Sequence, residues 1–308
     1  MKPYVLITAA RNEEAYIEKT IRSVIAQTIL PAKWVIVSDG STDHTDEIVK
    51  QYADSHNFIL LLRRSADQKR NYGGKAKSFK FGYEQLTDLE FDFVGNLDAD
   101  VSFDPKYYEG VLSKFDANER LGVVGGLRFD LYKERFQKIR PALNSAGGPT
   151  QFFRRQCYEE TGGYLPLRFG GLDTVAETMA RMHGWEVETF PDLEVYHYRF
   201  TGTAGGGLLR AKFKAGILAY SVGYHPLFEL ARCASRLLDQ PPVVGSLSLL
   251  TGYCWASLKR YERQVPDDFV QYLRSEQMAR LRSLLRRKSP MVATKHSGVR
   301  AGQQIQGK

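Results

Sequence analysis

Cysteine is scarce in this 308-residue sequence, and the scarcity removes two classes of protein at once. Cys157, Cys233 and Cys254 lie far apart and form no CxxC pair. That spacing argues against a zinc cluster or a disulfide framework, and it fits a reducing compartment. Long hydrophobic runs are missing too. The uncharged stretch from Pro241 to Leu258 is broken by glycine and serine. It falls short of the roughly 20 apolar residues that span a bilayer, so it reads as a buried helix hairpin or an interfacial segment. The opening MKPYVLITAARNEE turns polar after one short apolar run, too short for a secretory core, so no leader is expected. No internal repeat is visible.

What is present describes a folded protein. Hydrophobic residues make up 43% and charged residues 25%, ordinary values for a globular chain. The length suits one large domain, or one domain with an extension. The net charge of +8 points to a nucleic acid, an anionic membrane or a phosphorylated ligand. The cations gather in the tail, with no aromatics interleaved on a sheet face, so no nucleic-acid partner is expected.

Hydrophobic periodicity then alternates. PYVLITA, KWVIVSD, FILLLRR and FDFVGNLDAD are predicted strands, and their continuous apolar character suits burial on both faces. Between the first two, Ile17, Ile21, Val24 and Ile25 recur at helical spacing, with Asn12 as a candidate cap. GSTDHTDEIVKQYADS is a loop running into a helix, and residues 78–86 read as another helix. LGVVGGLRF, the aromatic run after Gly147 and Gly148, and EVETFPDLEVYHYR, ending near His197, are later strands. GGLDTVAETMARMHGW is a loop and a helix stopped by Gly184. Alternating strands and helices predict an α/β fold with a mostly parallel sheet.

In such a sheet, ligands sit at the carboxyl ends of the strands. TAARNEE, SDGSTD, LDAD and the basic glycine loop QKRNYGGKAKS all fall there. LDAD poses a physical problem, because Asp98 and Asp100 stand one residue apart where a buried strand ends. Carboxylates repel one another and are costly to bury unpaired, so positive charge belongs beside them. In the basic loop, Gly73 and Gly74 let backbone N–H groups approach a phosphate, and Lys69, Arg70, Lys75 and Lys77 add attraction. A solvated basic loop is the alternative.

With TAARNEE, SDGSTD, LDAD and GGLDT in this order, residues 4–200 resemble family 2 glycosyltransferases. The resemblance implies a GT-A fold, a nucleoside diphosphate sugar donor with UDP as first candidate, and inverting transfer to a saccharide or lipid-linked hydroxyl. Thr8, Ala9, Arg11 and Glu13 would lie near the base and ribose, and Asp39 would accept a hydrogen bond from the base. The family's usual proline is missing here at Ala9 or Ala10. Asn12 and Glu13 are equally readable as helix caps. Asp98 would face the ribose, while Asp100, with His197, would hold a divalent cation, Mn2+ or Mg2+. Arg70, Gly74 and Lys75 fall on the diphosphate side, and Gly148 and Gln151 border the donor sugar or the acceptor. Asp173 matches the catalytic acidic position, although Leu172 replaces a common Glu, and Glu177 one turn later is the fallback.

Other chemistries share parts of this pattern. Haloacid dehalogenase phosphatases carry a DxD on their first strand, whereas here it follows about the fourth. Sugar nucleotidylyltransferases open with a glycine-rich loop that TAARNEE lacks. A non-catalytic nucleotide-sugar scaffold is a third reading. The chain divides by composition into 1–200, a helical extension 201–285 and a basic tail 286–308 expected to be disordered. Arg210, Lys212 and Lys214 beside Leu208, Leu209, Phe213, Ile217 and Leu218 have the look of a segment on an anionic membrane. Packing on the catalytic domain or a homodimer contact is the alternative. The expected location is cytoplasmic, peripheral on the membrane's inner face.

Overall fold

The computed structural model of the chain describes residues 2–65, 73–139, 145–199 and 207–287. Four strands open the sheet: β1 (Tyr4–Ala10), β2 (Lys33–Asp39), β3 (Ile59–Arg64) and β4 (Phe93–Asn96). They pair in parallel in the order β3-β2-β1-β4. Helices α1 (Ile17–Ile25), α2 (Thr45–Ala53) and α3 (Gly73–Glu84) make the crossovers. α1 buries Ile17, Ile21 and Val24 at helical spacing against the sheet.

The second half changes direction. β5 (Val101–Phe103), helix α4 (Tyr107–Ala117), β6 (Leu121–Tyr132), β7 (Arg135–Lys138) and β8 (Phe152–Arg154) follow. After them come α5 (Arg155–Glu160), α6 (Leu172–Met182) and β9 (Glu186–His197). β8 joins β4 to β6 in antiparallel pairing, β9 runs parallel to β6, and β5 closes the edge antiparallel to β9. β7 is a hairpin partner of β6. Trp34, Phe93, Phe115 and Phe152 are fully buried on one face of the sheet, and Phe79 and Phe153 on the other. Each such side chain contributes about 2 kcal/mol relative to exposure.

Helices α7 (Leu208–Ser221), α8 (Pro226–Ser235), α9 (Val244–Leu258) and α10 (Asp267–Arg287) complete the described chain. α7 and α10 share a third core with α6, which gathers Val175, Leu218, Phe269, Val270 and Leu273. α7 and α9 touch backbone to backbone. A Cβ on Gly216 would fall 2.0 Å from the Leu249 carbonyl oxygen, and one on Gly252 would fall 2.0 Å from that of Phe213.

Four expectations change here. Asn12 is not a helix cap: it sits at φ +55°, and α1 starts five residues later. α3 begins at Gly73 rather than Ser78, so Gly74 and Lys75 occupy its first turn instead of a loop. Pro241–Leu258 holds one helix, not a hairpin. α7 does not lie free as an amphipathic surface segment, because Ile217 is buried and Leu218 packs beside Gly171. α10 reaches Arg287, while the expected disorder from 288 onward lies outside the described residues, as does Arg70.

Candidate active site

The carboxyl ends of the parallel strands gather the opening motifs. After β1, Asn12 Oδ1 accepts from the Thr42 N–H at 2.8 Å, and the Glu13 N–H donates to Thr45 Oγ1 at 2.8 Å. Glu14 accepts from the His44 N–H at 3.0 Å. TAARNEE and SDGSTD are thus laced into one rim, and the turn between β2 and α2 needs Gly40 at φ +68°. Asp39, last in β2, is paired with Arg64, last in β3, at 2.8 Å. Their alignment follows from the β2–β3 register. Arg11 is half-buried in the rim and Ala9 lines the end of β1. Thr8 differs from the expectation of a ligand contact: it is fully buried, and its hydroxyl accepts from Trp34 Nε1 at 3.0 Å. Its role is to hold β1 to β2.

β4 ends at Asn96, and the next residues turn sharply, which places Asp98 and Asp100 at the mouth of the sheet. Lys75, in the first turn of α3, forms an ion pair with Asp98. Asp100 is buried, and His197 Nε2 and Arg199 Nη1 each lie 3.4 Å from its Oδ2. Burial alone would raise the Asp100 pKa, but His197, Arg199 and Lys75 outweigh it and hold the carboxyl below its ordinary range. The repulsion inherent in LDAD is met by three positive groups from two distant places, the first turn of α3 and the end of β9.

His197 ends β9 opposite Val101 in β5, which brings its ring over the Asp100 turn. Its Nδ1 faces Asp130 Oδ1 at 3.1 Å, and Asp130 is also paired with Arg128 at 2.8 Å. Burial would lower the His197 pKa; Asp100 and Asp130 overcome it and carry it to about 9. Arg199 grips Glu13 through both nitrogens, at 2.6 and 2.7 Å. Glu13 is therefore neither a cap nor a free contact, but the clamp that fixes Arg199.

Asp98, Asp100 and His197 each bring one ligand atom within 4.8 Å of the others. Two carboxylates and an imidazole that gives up its proton to the ion are a donor set suited to Mn2+, and Mg2+ prefers oxygen alone. A carboxylate behind the imidazole, as Asp130 provides, orients a ligating histidine. The residues present therefore fit a divalent cation.

Asp173 stands on the other side. It lies in the first turn of α6, whose cap is Gly171, so it is not itself the N-cap. Its carboxylate presses on Gly148: a Cβ there would come within 2.6 Å of Asp173 Oδ2. Neighbouring Pro149 accepts from the Asp98 N–H at 2.9 Å, and Gly148 accepts from Asn96 Nδ2 at 2.8 Å. The 148–149 turn thus ties Asp173 to the DxD turn. Gln151 is fully buried and holds the Asp173 and Ala146 carbonyls, both at 3.1 Å, while accepting from Tyr164 at 2.7 Å. It braces the site rather than bordering a ligand. Glu177, the fallback base, points away into the protein and accepts from the Ser145 hydroxyl and the Ala146 N–H at 2.8–3.0 Å. Burial pushes its pKa up to about 7.

Sequence reasoning missed Arg64, Asp130 and Arg199. Arg64 does leave a trace, since it ends the apolar run of β3.

Comparison with known proteins agrees with this arrangement. The profile of Glycosyl transferase family 2 matches residues 5–172, more than half of the chain. The poly-beta-1,6-N-acetyl-D-glucosamine synthase of Staphylococcus epidermidis is 24% identical over 208 residues, 61% of this chain and 46% of that protein. Its counterpart in Staphylococcus aureus strain COL is 32% identical over 122 residues, 39% of this chain and 27% of that protein. The chain thus spans less than half the length of these curated relatives. Among solved structures, S. aureus TarS 1-349 with UDP-GlcNAc superposes with a TM-score of 0.58 at 14% identity, covering 90% of this chain and 83% of that one. The mannosyltransferase PcManGT of Pyrobaculum calidifontis, in complex with GDP-Man and Mn2+, gives 0.55 at 16% identity, covering 93% and 81%. The phosphatase and nucleotidylyltransferase readings fall with the family match. The chain belongs to glycosyl transferase family 2 and has a GT-A fold.

Proposed function

We propose that the chain moves a sugar, with inversion, from a nucleoside diphosphate sugar to a saccharide or lipid-linked hydroxyl in surface polysaccharide synthesis. UDP is the first nucleotide to test. The observation that carries this reading is the convergence of Asp98, Asp100 and His197, with Asp173 tied to the same turn through Gly148 and Pro149. The names of the curated relatives and the UDP-GlcNAc bound by TarS support the donor and pathway class. The Mn2+ in PcManGT supports a dication.

The rim built by Ala9, Arg11 and Asp39 takes the nucleoside, and Lys75 and the backbone of Gly74 face the diphosphate. Asp98 faces the ribose. Asp100 and His197, with Asp98 close by, would hold the cation, which as a Lewis acid neutralises charge growing on the departing diphosphate. Asp173 accepts the proton of the acceptor hydroxyl. The acceptor oxygen forms its bond to the anomeric carbon as the bond from that carbon to the diphosphate oxygen breaks, and the electron pair leaves with the nucleoside diphosphate.

The test is release of nucleoside diphosphate from UDP-, GDP- and dTDP-sugars with Mn2+. We expect Asp173→Asn to lower turnover by about 10²-fold or more while nucleotide binding persists. Asp100→Ala should lose both turnover and Mn2+-dependent nucleotide binding, read by calorimetry. Turnover near wild type in Asp173→Asn would remove the base from its role. Unchanged Mn2+-dependent binding in Asp100→Ala would remove the cation site.

A further inference from the structure

The C-terminal helices carry a surface that sugar transfer does not use. α9 packs on α7, and α8 on α9 and α10, yet each exposes a stripe of mostly apolar residues. On α8 the stripe is Leu227, Leu230 and Ala234, spaced three and four apart. On α9 it is Val244, Leu247, Thr251, Trp255 and Leu258, one residue per turn along the whole helix. The connection between them adds Leu237 and Leu238, the latter 89% exposed. Leu258 is 82% exposed and Leu247 54%. Soluble chains scatter single exposed leucines. A run of this length over two adjoining helices marks a surface that meets another apolar phase.

Charge says which phase. From 208 to 260 the sequence has seven cations against two acids. Arg236, Lys259 and Arg260 are exposed beside the stripes, and Lys259 Nζ sits 5.1 Å from the Trp255 ring centroid. Apolar residues framed by arginine and lysine, with a tryptophan at the boundary, match the acyl-to-headgroup border of an anionic bilayer. A second copy fits less well. A two-fold contact through this face sets like residues near like, and the cationic border would repel itself. Among the described residues no helix is long and apolar enough to cross a membrane, so contact through this face is in-plane.

We infer that the exposed face of α8 and α9 docks on the surface of an anionic lipid bilayer, with Leu247, Trp255 and Leu258 entering the acyl border. The docking is independent of the reaction, so its failure leaves transfer to a soluble acceptor untouched.

The test is flotation of the full chain with vesicles of phosphatidylcholine alone, or mixed with phosphatidylglycerol. Recovery should favour the anionic vesicles and fall in high salt. The double variant L247E/L258E changes only exposed positions, and its fold is checked by circular dichroism and by turnover on a soluble acceptor. It should bind the anionic vesicles about tenfold or more weakly than wild type. Exposed Cys254 lies on the same helix face, whereas Cys157 and Cys233 are buried. An environment-sensitive dye on Cys254 should shift to the blue when anionic vesicles are added. Equal flotation of wild type and L247E/L258E overturns the proposal, because the cations that follow residue 287 would then suffice. Absence of flotation overturns it too. So does a wild-type dimer that L247E/L258E dissociates without any change in flotation, which would make the face a contact between copies.

Discussion

Arg199 carries three contacts on one guanidinium: two to Glu13 and one to Asp100. A planar fork makes this possible, and lysine cannot copy it. Removing Arg199 would take two charge-assisted contacts from the buried Glu13 carboxylate. Breaking a fully buried pair costs about 3–5 kcal/mol, and Arg199 is one-third exposed, so about 2 kcal/mol is expected. Arg199→Met should lower stability by that amount in urea and weaken nucleotide binding; Arg199→Lys should restore part of the stability. Unchanged denaturation midpoints in Arg199→Met would show the clamp to be idle. Glu177 gives a pH signature. Its pKa in the fold, about 7, lies above its ordinary 4.5, so the protonated form suits the fold. That contribution is complete below 4.5 and is lost as pH rises through about 7. Glu177→Gln should therefore raise the melting temperature at about pH 8 and leave it nearly unchanged at about pH 4. A constant difference across that range would contradict the assignment. The carboxylates were readable from sequence because each ends an apolar run. Their partners were less so, since Lys75, Arg199 and Asp130 reach them only through tertiary folding.

Helices α7 and α9 are joined at Gly216 and Gly252, where no other residue fits without moving a carbonyl. Gly216→Ala or Gly252→Ala should each cost about 2–3 kcal/mol by overpacking, measured by urea denaturation. A loss below about 0.5 kcal/mol would mean that the helices slide apart freely. This contact was invisible in the sequence, where both glycines read as interruptions of an apolar stretch. The parallel strands were legible because β1, β2 and β4 are buried on both faces and read as unbroken apolar runs. β5 has three residues and β7 is exposed at all four, so neither gives a periodic signal. α4 does place Tyr107, Tyr108, Val111, Leu112 and Phe115 on a buried side. Its heptad-like spacing was there to be read. The first turn of α3 reads as loop in the sequence because its two glycines and its lysines resemble a phosphate-binding turn.

At the scale of the whole molecule, the first four strands align their motifs at one end of the sheet, and the later, partly antiparallel strands extend the same sheet and return His197 to the DxD turn. The fold class and the motif order were legible because they are properties of sequential order. The helical extension was legible as helices but not as a partner of α6, since the two are joined by residues separated by almost a hundred positions, such as Arg181 and Glu276, paired at 2.8 Å.

That return has a consequence for biogenesis. Asp98 and Asp100 leave the ribosome about a hundred residues ahead of His197 and Arg199, which complete their surroundings. Translation moves at about 5–20 residues per second, so for several seconds a nascent chain has Lys75 for Asp98 but neither His197 nor Arg199 for Asp100. Until β9 is laid beside β5 the emerging polypeptide has no finished cluster of Asp98, Asp100 and His197, so synthesis itself delays that cluster until residue 197 has been made.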